Sequence, residues 1–406
     1  MSKYDDLFAD TAPDESLFVD KGALDPLAEP PEIVARDDQE RELATVLNGV
    51  HDGYLPPTVS IYGPPGTGKT LTTRRLCREF ATRHDTVAVE YVNLKECRTL
   101  FSAANEILFE LTGEKKGAYE GLDGVFAGIW DALAAYPEWT VVLLDEVDHV
   151  RHDTNYDPNE FFYRLLRGEG KLARDISLSV WLLSNELLEV DLRLDSRVES
   201  AMSDEAVFFP PYGVAELGAI LDPRIDRAFR DGAVPDAVCE YGVQEAARRW
   251  GDARKALTLF RQAGETATER GLDRLTIECV DTNLEQTERE ATIAKLLALP
   301  ANHFVVLAGI TGRDQGGTIK QPVTTAEVHT VIQDDAFPTE LRLGERAIRQ
   351  LVTDLETMGL VETWIESRGA DGRVKQLETT FDPQWVREAI EPYVAESAYL
   401  AALADG

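Results

Sequence analysis

Four short apolar runs punctuate the first half of the chain: TVSIY at 58–62, VAVEYVN at 87–93, TVVLL at 140–144 and LSVWLL at 178–183. They read as continuous apolar segments rather than half-polar ones, as expected of strands covered by helices on both faces. The run DDQERELATVL at 37–47 has helical spacing, and Pro56-Pro57 breaks the chain before the first strand. Strands and helices alternating across 37–209 predict a doubly wound α/β domain with a parallel sheet.

After Pro210-Pro211 the pattern turns purely helical to about residue 289, which predicts a smaller helical lid. A further helical segment begins at 290. Thr324 followed by Glu327 fits a capping box opening a helix at 325–333, ended by Phe337-Pro338. A longer amphipathic helix at 344–358 carries Ala347, Ile348, Leu351 and Leu355 on one face. Two strand-like runs follow, 361–365 and 374–380, joined by a Gly-containing turn at 369–372; together these predict a winged helix-turn-helix. Residues 1–31 are rich in Asp, Pro and Ala without periodicity and read as a loose arm, ordered only where it docks. The expected division is a flexible acidic arm (1–30), an α/β core (31–210), a lid (211–289) and a winged helix (290–406).

The strongest chemical signal is Gly63-Pro64-Pro65-Gly66-Thr67-Gly68-Lys69-Thr70, a G-x-x-x-x-G-K-[ST] loop between a predicted strand and helix. Its glycines let backbone N–H groups curl around phosphate oxygens at the positive end of the helix. Lys69 is placed to reach the β- and γ-phosphates of ATP or ADP, and the Thr70 hydroxyl to ligate Mg2+. The third strand delivers Asp145 and Glu146 to the carboxyl edge of the sheet, about 75 residues after the loop. Asp145 is the candidate to hold magnesium through water, and Glu146 the candidate general base. The fourth strand ends at Asn185, which either orders the same water or is a plain turn residue. Arg197, in LDSRVES, is either an arginine finger acting on a neighbour's ATP or a surface ion pair.

Charge complicates the picture. The 406 residues hold 41 Lys plus Arg against 73 Asp plus Glu, a net charge of −32, which alone favours a protein that never touches nucleic acid. Adaptation to a cytoplasm of molar salt, where the Debye length falls to about 3 Å, reconciles such a surface with DNA binding. Over 342–375, however, six basic and six acidic residues cancel, a relative basic patch in this chain. Its members Arg342, Arg346, Arg349, Gln350, Arg368, Arg373 and Lys375 are candidates for base edges and phosphates; a winged helix used for protein contact is the alternative. Cys77, Cys97, Cys239 and Cys279 are far apart and read as free thiols. His149 and His152 form an H-x-x-H that is ordinarily incidental. No run is apolar and long enough to span a membrane, and residues 1–20 lack the pattern of a signal peptide, so a cytoplasmic, chromosome-associated protein is expected.

Taken in order, GPPGTGKT, LLDEVD, LLSNE, LDSRVES, FPPYGVAEL and GDARKAL resemble the archaeal origin-recognition and cell-division-control initiators, AAA+ relatives of the eukaryotic origin recognition complex. That resemblance implies an AAA+ P-loop NTPase core, a helical lid and a winged helix, acting as a slow ATPase switch on double-stranded origin DNA. It also implies the replicative helicase and paralogous initiators as partners. It assigns Tyr212 and Arg224 to nucleotide contact, Arg254 to the γ-phosphate, and Val34-Ala35-Arg36-Asp37 to a stretch beside the adenine. It places an initiator-specific insertion at 98–121, with Arg98, Lys115 and Lys116 as phosphate-binding candidates. The wing tip SRGADGR departs from the family's two-Gly, two-Arg pattern by adding Asp371. An AAA-like winged-helix transcriptional regulator and a helicase- or clamp-loading factor remain as alternatives; neither the sensory nor the repeat domains usual in such regulators are visible.

Overall fold

A computed structural model describes residues 16–97, 99–147, 157–167, 177–185, 195–199, 202–203, 205–312, 320–333, 342–367 and 373–390. The chain divides into two compact units, 1–280 and 281–406.

The first unit is built on five parallel strands, β1 (Thr58–Tyr62), β2 (Val87–Asn93), β3 (Trp139–Asp145), β4 (Ser177–Ser184) and β5 (Ala206–Phe208), in the order β2-β3-β4-β1-β5. Side chains alternate across a sheet, so the unbroken apolar run of β3 feeds two cores. Val141 and Leu143 join Trp181 and Leu183 on one face, against Leu43 and Leu47 of α1 (Asp37–Asn48) and Cys77 of α2 (Lys69–Ala81). Val142 and Leu144 join Val180 and Leu182 on the other, beneath α3 (Leu100–Thr112), α4 (Gly121–Leu133) and α5 (Pro158–Arg167). A short helix, α6 (Ser196–Glu199), follows β4.

The fifth strand went unforeseen because three residues show no period. It is held by parallel pairing of Ser60–Tyr62 with Ala206–Phe208.

The lid comprises α7 (Val214–Ala228), α8 (Asp236–Arg249), α9 (Ala253–Glu269) and the first residues of α10 (Ile277–Leu297). The expected boundary at 289 is displaced to 280/281, inside α10. No Gly or Pro interrupts the sequence between 277 and 299, so the helix gives no local mark of the division.

Residues 16–31 are not a loose arm; the described part is tightly docked. Val19 N–H donates to the Ala228 carbonyl at 2.7 Å and Arg230 N–H to the Leu17 carbonyl at 2.9 Å. Phe18 stacks on Phe229 with ring centroids 4.6 Å apart, and Leu17 and Leu24 are fully buried. Their partners lie some two hundred residues away, so nothing local announces the docking.

The second unit contains α11 (Ala301–Ile310), β6 (Val323–Thr324), α12 (Thr325–Ile332), α13 (Glu345–Thr357), the hairpin β7 (Val361–Ser367) and β8 (Arg373–Thr379), and α14 (Gln384–Ile390). The sheet runs β6-β8-β7 and is antiparallel, the wing of the expected motif. Its core gathers Ile310, Val328, Ile332, Ile348, Val352, Leu355 and Leu377. Ala347, expected on the apolar face of α13, is exposed, and Val352 takes the buried position instead.

The capping box is present: Thr324 Oγ1 accepts from Glu327 N–H at 3.2 Å, and Glu327 accepts from Thr324 N–H at 2.8 Å. Lys320 at 2.8 Å, with the Thr324 N–H and hydroxyl, holds the Glu327 carboxyl down to about 2. A depressed carboxylate stabilises the fold above its unfolded value and loses that contribution as pH falls through the folded value. Acid titration monitored by unfolding of the full chain should therefore show a stability loss between about pH 4.5 and about 2 that is smaller in Glu327→Gln. Identical acid profiles would show that the cap contributes nothing.

Candidate nucleotide and DNA sites

The phosphate loop joins β1 to α2. Gly66 and Gly68 take φ of 73° and 87°, a region that favours glycine, and a side chain would not fit at either position. A Cβ on Gly66 would stand 1.7 Å from Asp252 Oδ1, and one on Gly68 2.7 Å from the Tyr212 hydroxyl. Lys69 is 8 % exposed, and its ammonium donates to the carbonyls of Gly63 at 2.6 Å and Pro64 at 2.9 Å, with Asn185 Oδ1 at 3.5 Å.

Thr70 Oγ1 donates to Asp145 Oδ2 at 2.8 Å, and Tyr91, unremarked in the sequence, donates to the same oxygen at 2.8 Å. Burial, then the adjoining carboxylate, pushes the Tyr91 hydroxyl pKa up, so it remains a donor. Arg74 lies 4.0 Å from the centre of its ring. Glu146 has a φ of 58°, uncommon for a residue with a side chain. Its N–H donates to Asp145 Oδ1 at 3.0 Å, which holds the strained peptide in place.

Gly66, Gly68, Lys69, Thr70, Asp145 and Glu146 line a cavity of about 770 Å3 shared by the core, the lid and the docked arm, whereas Tyr91 and Arg74 are not in its lining. Among the expected residues, Val34, Gly66, Thr67, Gly68, Lys69, Thr70, Asp145, Glu146, Asn185, Tyr212, Arg224 and Arg254 all reach it. Gly63, Pro64 and Pro65 do not line it; the first two carbonyls serve Lys69 instead. Arg224 donates to the carbonyls of Asp25 at 3.3 Å and Ala28 at 3.1 Å, so in this state it fastens the arm. Arg75 fastens the next residues to the core, donating to the carbonyls of Pro30 at 3.0 Å and Pro31. Asp252, another residue the sequence reading passed over, caps α9 by accepting from Arg254 and Lys255 N–H at 2.8 and 3.1 Å. An Asp just before an apolar-periodic helix is a recognisable N-cap signal. Arg197 lies in α6, but its side chain is outside the described residues.

In the second unit, Arg346, Arg349 and Gln350 are exposed on α13. Arg349 pairs with Glu345 at 2.9 Å, Gln350 donates to Asp354 at 3.1 Å, and Lys375 pairs with Glu356 at 3.2 Å. Arg346 makes no ion pair among the described residues, and Arg342 is half-buried at the approach to the helix. Exposed pairs of this kind are worth about 0–1 kcal/mol, so they yield readily to a stronger anion. The side chain of Arg373 and all of Arg368 lie outside the described residues. In the insertion, Lys115 pairs with Glu106 at 2.6 Å and Lys116 with Glu120 at 3.1 Å. Arg98, His149 and His152 are outside the described residues. Among the described residues, no helix is long and apolar enough to cross a membrane.

Comparison with known proteins bears on the whole chain. Residues 56–186 match the family model of an AAA domain, and residues 218–284 that of the Cdc6 AAA+ ATPase-type lid domain. An ORC1-type DNA replication protein of Pyrococcus horikoshii is 31% identical across 97% of this chain and 96% of its own length. The chain belongs to the ORC1-type DNA replication proteins. Another of these, from Thermococcus kodakarensis, is 30% identical across 91% of this chain and 90% of its own. The Aeropyrum pernix ORC1 protein, solved in complex with DNA, superposes with a TM-score of 0.70 at 27% identity, covering 94% of this chain and 99% of that one. The AAA+ core, lid and winged helix of this ORC1-type chain thus follow the family's architecture.

Proposed function

We propose that this ORC1-type chain is a replication initiator that binds origin duplex DNA and is switched by ATP binding and slow hydrolysis. The observation that carries the reading is the buried Lys69 ammonium in a glycine-rich loop, lining one cavity with the Thr70–Asp145 pair and with residues of the lid. The fit to a nucleotide is direct. Gly66 and Gly68 turn at positive φ where a Cβ would collide with Asp252 and the Tyr212 hydroxyl, the tight glycine turn a phosphate loop requires, and the hydroxyl and carboxylate of Thr70 and Asp145 are the hard oxygen donors that Mg2+ prefers. A bound magnesium nucleotide would supply the phosphoryl group and the charge that draws Lys69 and Thr70 from their present partners.

In this reading the loop amides and Lys69 bind the phosphates, and Thr70 and Asp145 hold the metal. Glu146 takes a proton from the attacking water, with Asn185 orienting it. Arg254, exposed at the start of α9, brings the lid to the γ-phosphate, while Tyr212, Val34 and Arg224 close the remaining side. Arg197 completes the site of a neighbouring subunit. The four functional regions are the arm, core, lid and winged helix, with helicase and paralogous initiators as further partners.

The second unit supplies DNA contacts through Arg342, Arg346, Arg349, Gln350, Arg373 and Lys375, with Arg368 at the wing; in the first unit, Arg98, Lys115 and Lys116 of the insertion are a separate set of candidates for backbone phosphates. The test is duplex binding by the full chain over a potassium chloride series. A protein that neutralises Z phosphates loses affinity with a log–log slope of about −0.9Z. Arg346→Ala should weaken all duplexes and reduce that slope by about 1. A slope unaffected by the change would remove Arg346 from the interface, and a flat salt response in the wild type would remove phosphate contact altogether.

A further inference from the structure

Arg36 is 2 % exposed, more deeply buried than Lys69, and yet it does not line the cavity that Val34 helps to form. A guanidinium taken so far out of water needs its donors satisfied. Its Nε donates to the Thr67 carbonyl at 2.8 Å, Nη2 to the Pro210 carbonyl at 2.8 Å and Nη1 to the Ala35 carbonyl at 3.1 Å. Its carbon centre lies 3.6 Å from the centroid of the Tyr212 ring, and the Glu216 carboxylate is 3.8 Å from Nη1.

These partners belong to three separate parts of the unit. Thr67 is in the phosphate loop, Pro210 in the connection from core to lid, and Tyr212 and Glu216 at the start of the lid. In a trans peptide the carbonyl and the following N–H point in opposite directions. Because Arg36, which does not line the cavity, grips the Thr67 carbonyl, the Gly68 N–H of that peptide is turned away from Arg36, and both Thr67 and Gly68 line the hollow. The far side is stitched as well: Tyr212 N–H donates to the Gly251 carbonyl at 2.9 Å, and Ala253 N–H to the Gly66 carbonyl at 3.1 Å. Phosphate loop, hinge and lid therefore close a ring around one buried cation.

We propose that Arg36 is a positioning residue that aims the Gly68 amide at the nucleotide's phosphates and ties the phosphate loop to the lid hinge at Pro210. This rests on the nucleotide reading above. Lysine at this position keeps the charge but not the planar fork, so it cannot hold two carbonyls while stacking on Tyr212.

The experiment compares wild type, Arg36→Lys and Arg36→Met as full-length proteins, measuring ADP and adenosine affinity by calorimetric competition alongside thermal unfolding. Wild-type binding of ADP is the control: its absence would sink the nucleotide reading and this assignment with it, whereas wild-type binding that Arg36→Lys leaves unchanged would sink this assignment alone. The expected result is a folded Arg36→Lys that binds adenosine within about twofold of wild type but ADP at least about tenfold more weakly, the scale of one charge-assisted hydrogen bond. If Arg36→Met fails to fold, Arg36→Lys decides the matter. An unchanged ADP affinity, an equal loss for adenosine and ADP, or an Arg36→Lys protein that does not fold would each overturn the proposal.

Discussion

Lys69→Ala is expected to weaken ATP and ADP binding by about 100-fold or more. The ammonium now bonds to the carbonyls of Gly63 and Pro64 from a nearly buried position. Transferred to phosphate oxygens, each charge-assisted hydrogen bond is worth about 1.5–3 kcal/mol, and two such bonds account for the predicted loss. Asn185 Oδ1, 3.5 Å from the ammonium, is an acceptor and cannot take over a phosphate contact. Anisotropy of a fluorescent ADP analogue gives the measurement, with circular dichroism as the check on folding. A dissociation constant within about threefold of wild type, a gap of under 1 kcal/mol, would take Lys69 out of the phosphate site.

Glu146→Gln acts on a different step. The amide keeps the shape of the side chain, and the N–H bond to Asp145 that steadies the φ of 58° belongs to the backbone, so the site should stay assembled. What disappears is the ability to take a proton from water. ATP affinity should remain close to that of wild type, while single-turnover hydrolysis falls by about 10²–10⁴, the usual contribution of a general base. Phosphate release followed in a stopped-flow instrument separates the two quantities. Hydrolysis at the wild-type rate would mean that another group is the base.

Much of this arrangement was readable from residue order. The phosphate loop and the Asp145–Glu146 pair are local: a strand leads into each, and the chemistry lies within a few residues of the strand end. The capping box at Thr324 is local in the same sense, and helix and motif agree with the structure to within a residue or two. Contacts made across long stretches of sequence left no trace. Phe18 and Leu17 dock on a lid surface around Phe229, and neither residue sits in a periodic pattern that would mark it as buried. Its motif assigns Arg224 to the nucleotide, and it does line the cavity, but the folded chain directs its donors to the Asp25 and Ala28 carbonyls. Arg36 stands just before a helix whose first turn holds Asp37, Asp38 and Glu40, a charged stretch that is ordinarily solvated, and only the meeting of residues 36, 67, 210 and 212 explains its burial.

Negative charge gave the most misleading signal. A net charge of −32 argues against nucleic acid, but it is a property of the whole surface. Along α13, exposed arginine and glutamine alternate with acidic partners at one-turn spacing, as in Arg349 with Glu345 and Gln350 with Asp354. Such pairs lower the local field without consuming the arginines, since each costs little to break.

The central claim is that nucleotide seated against Lys69 governs how this protein holds duplex DNA. The most direct test measures binding of the full chain to genomic origin fragments and to random duplex in concentrated potassium chloride, with ATP, ADP or no nucleotide, for wild type and Lys69→Ala. The account predicts that wild type prefers particular fragments to an extent that changes with the nucleotide, and that Lys69→Ala is indifferent to it. Equal affinity for every fragment, whichever nucleotide is supplied, would contradict it.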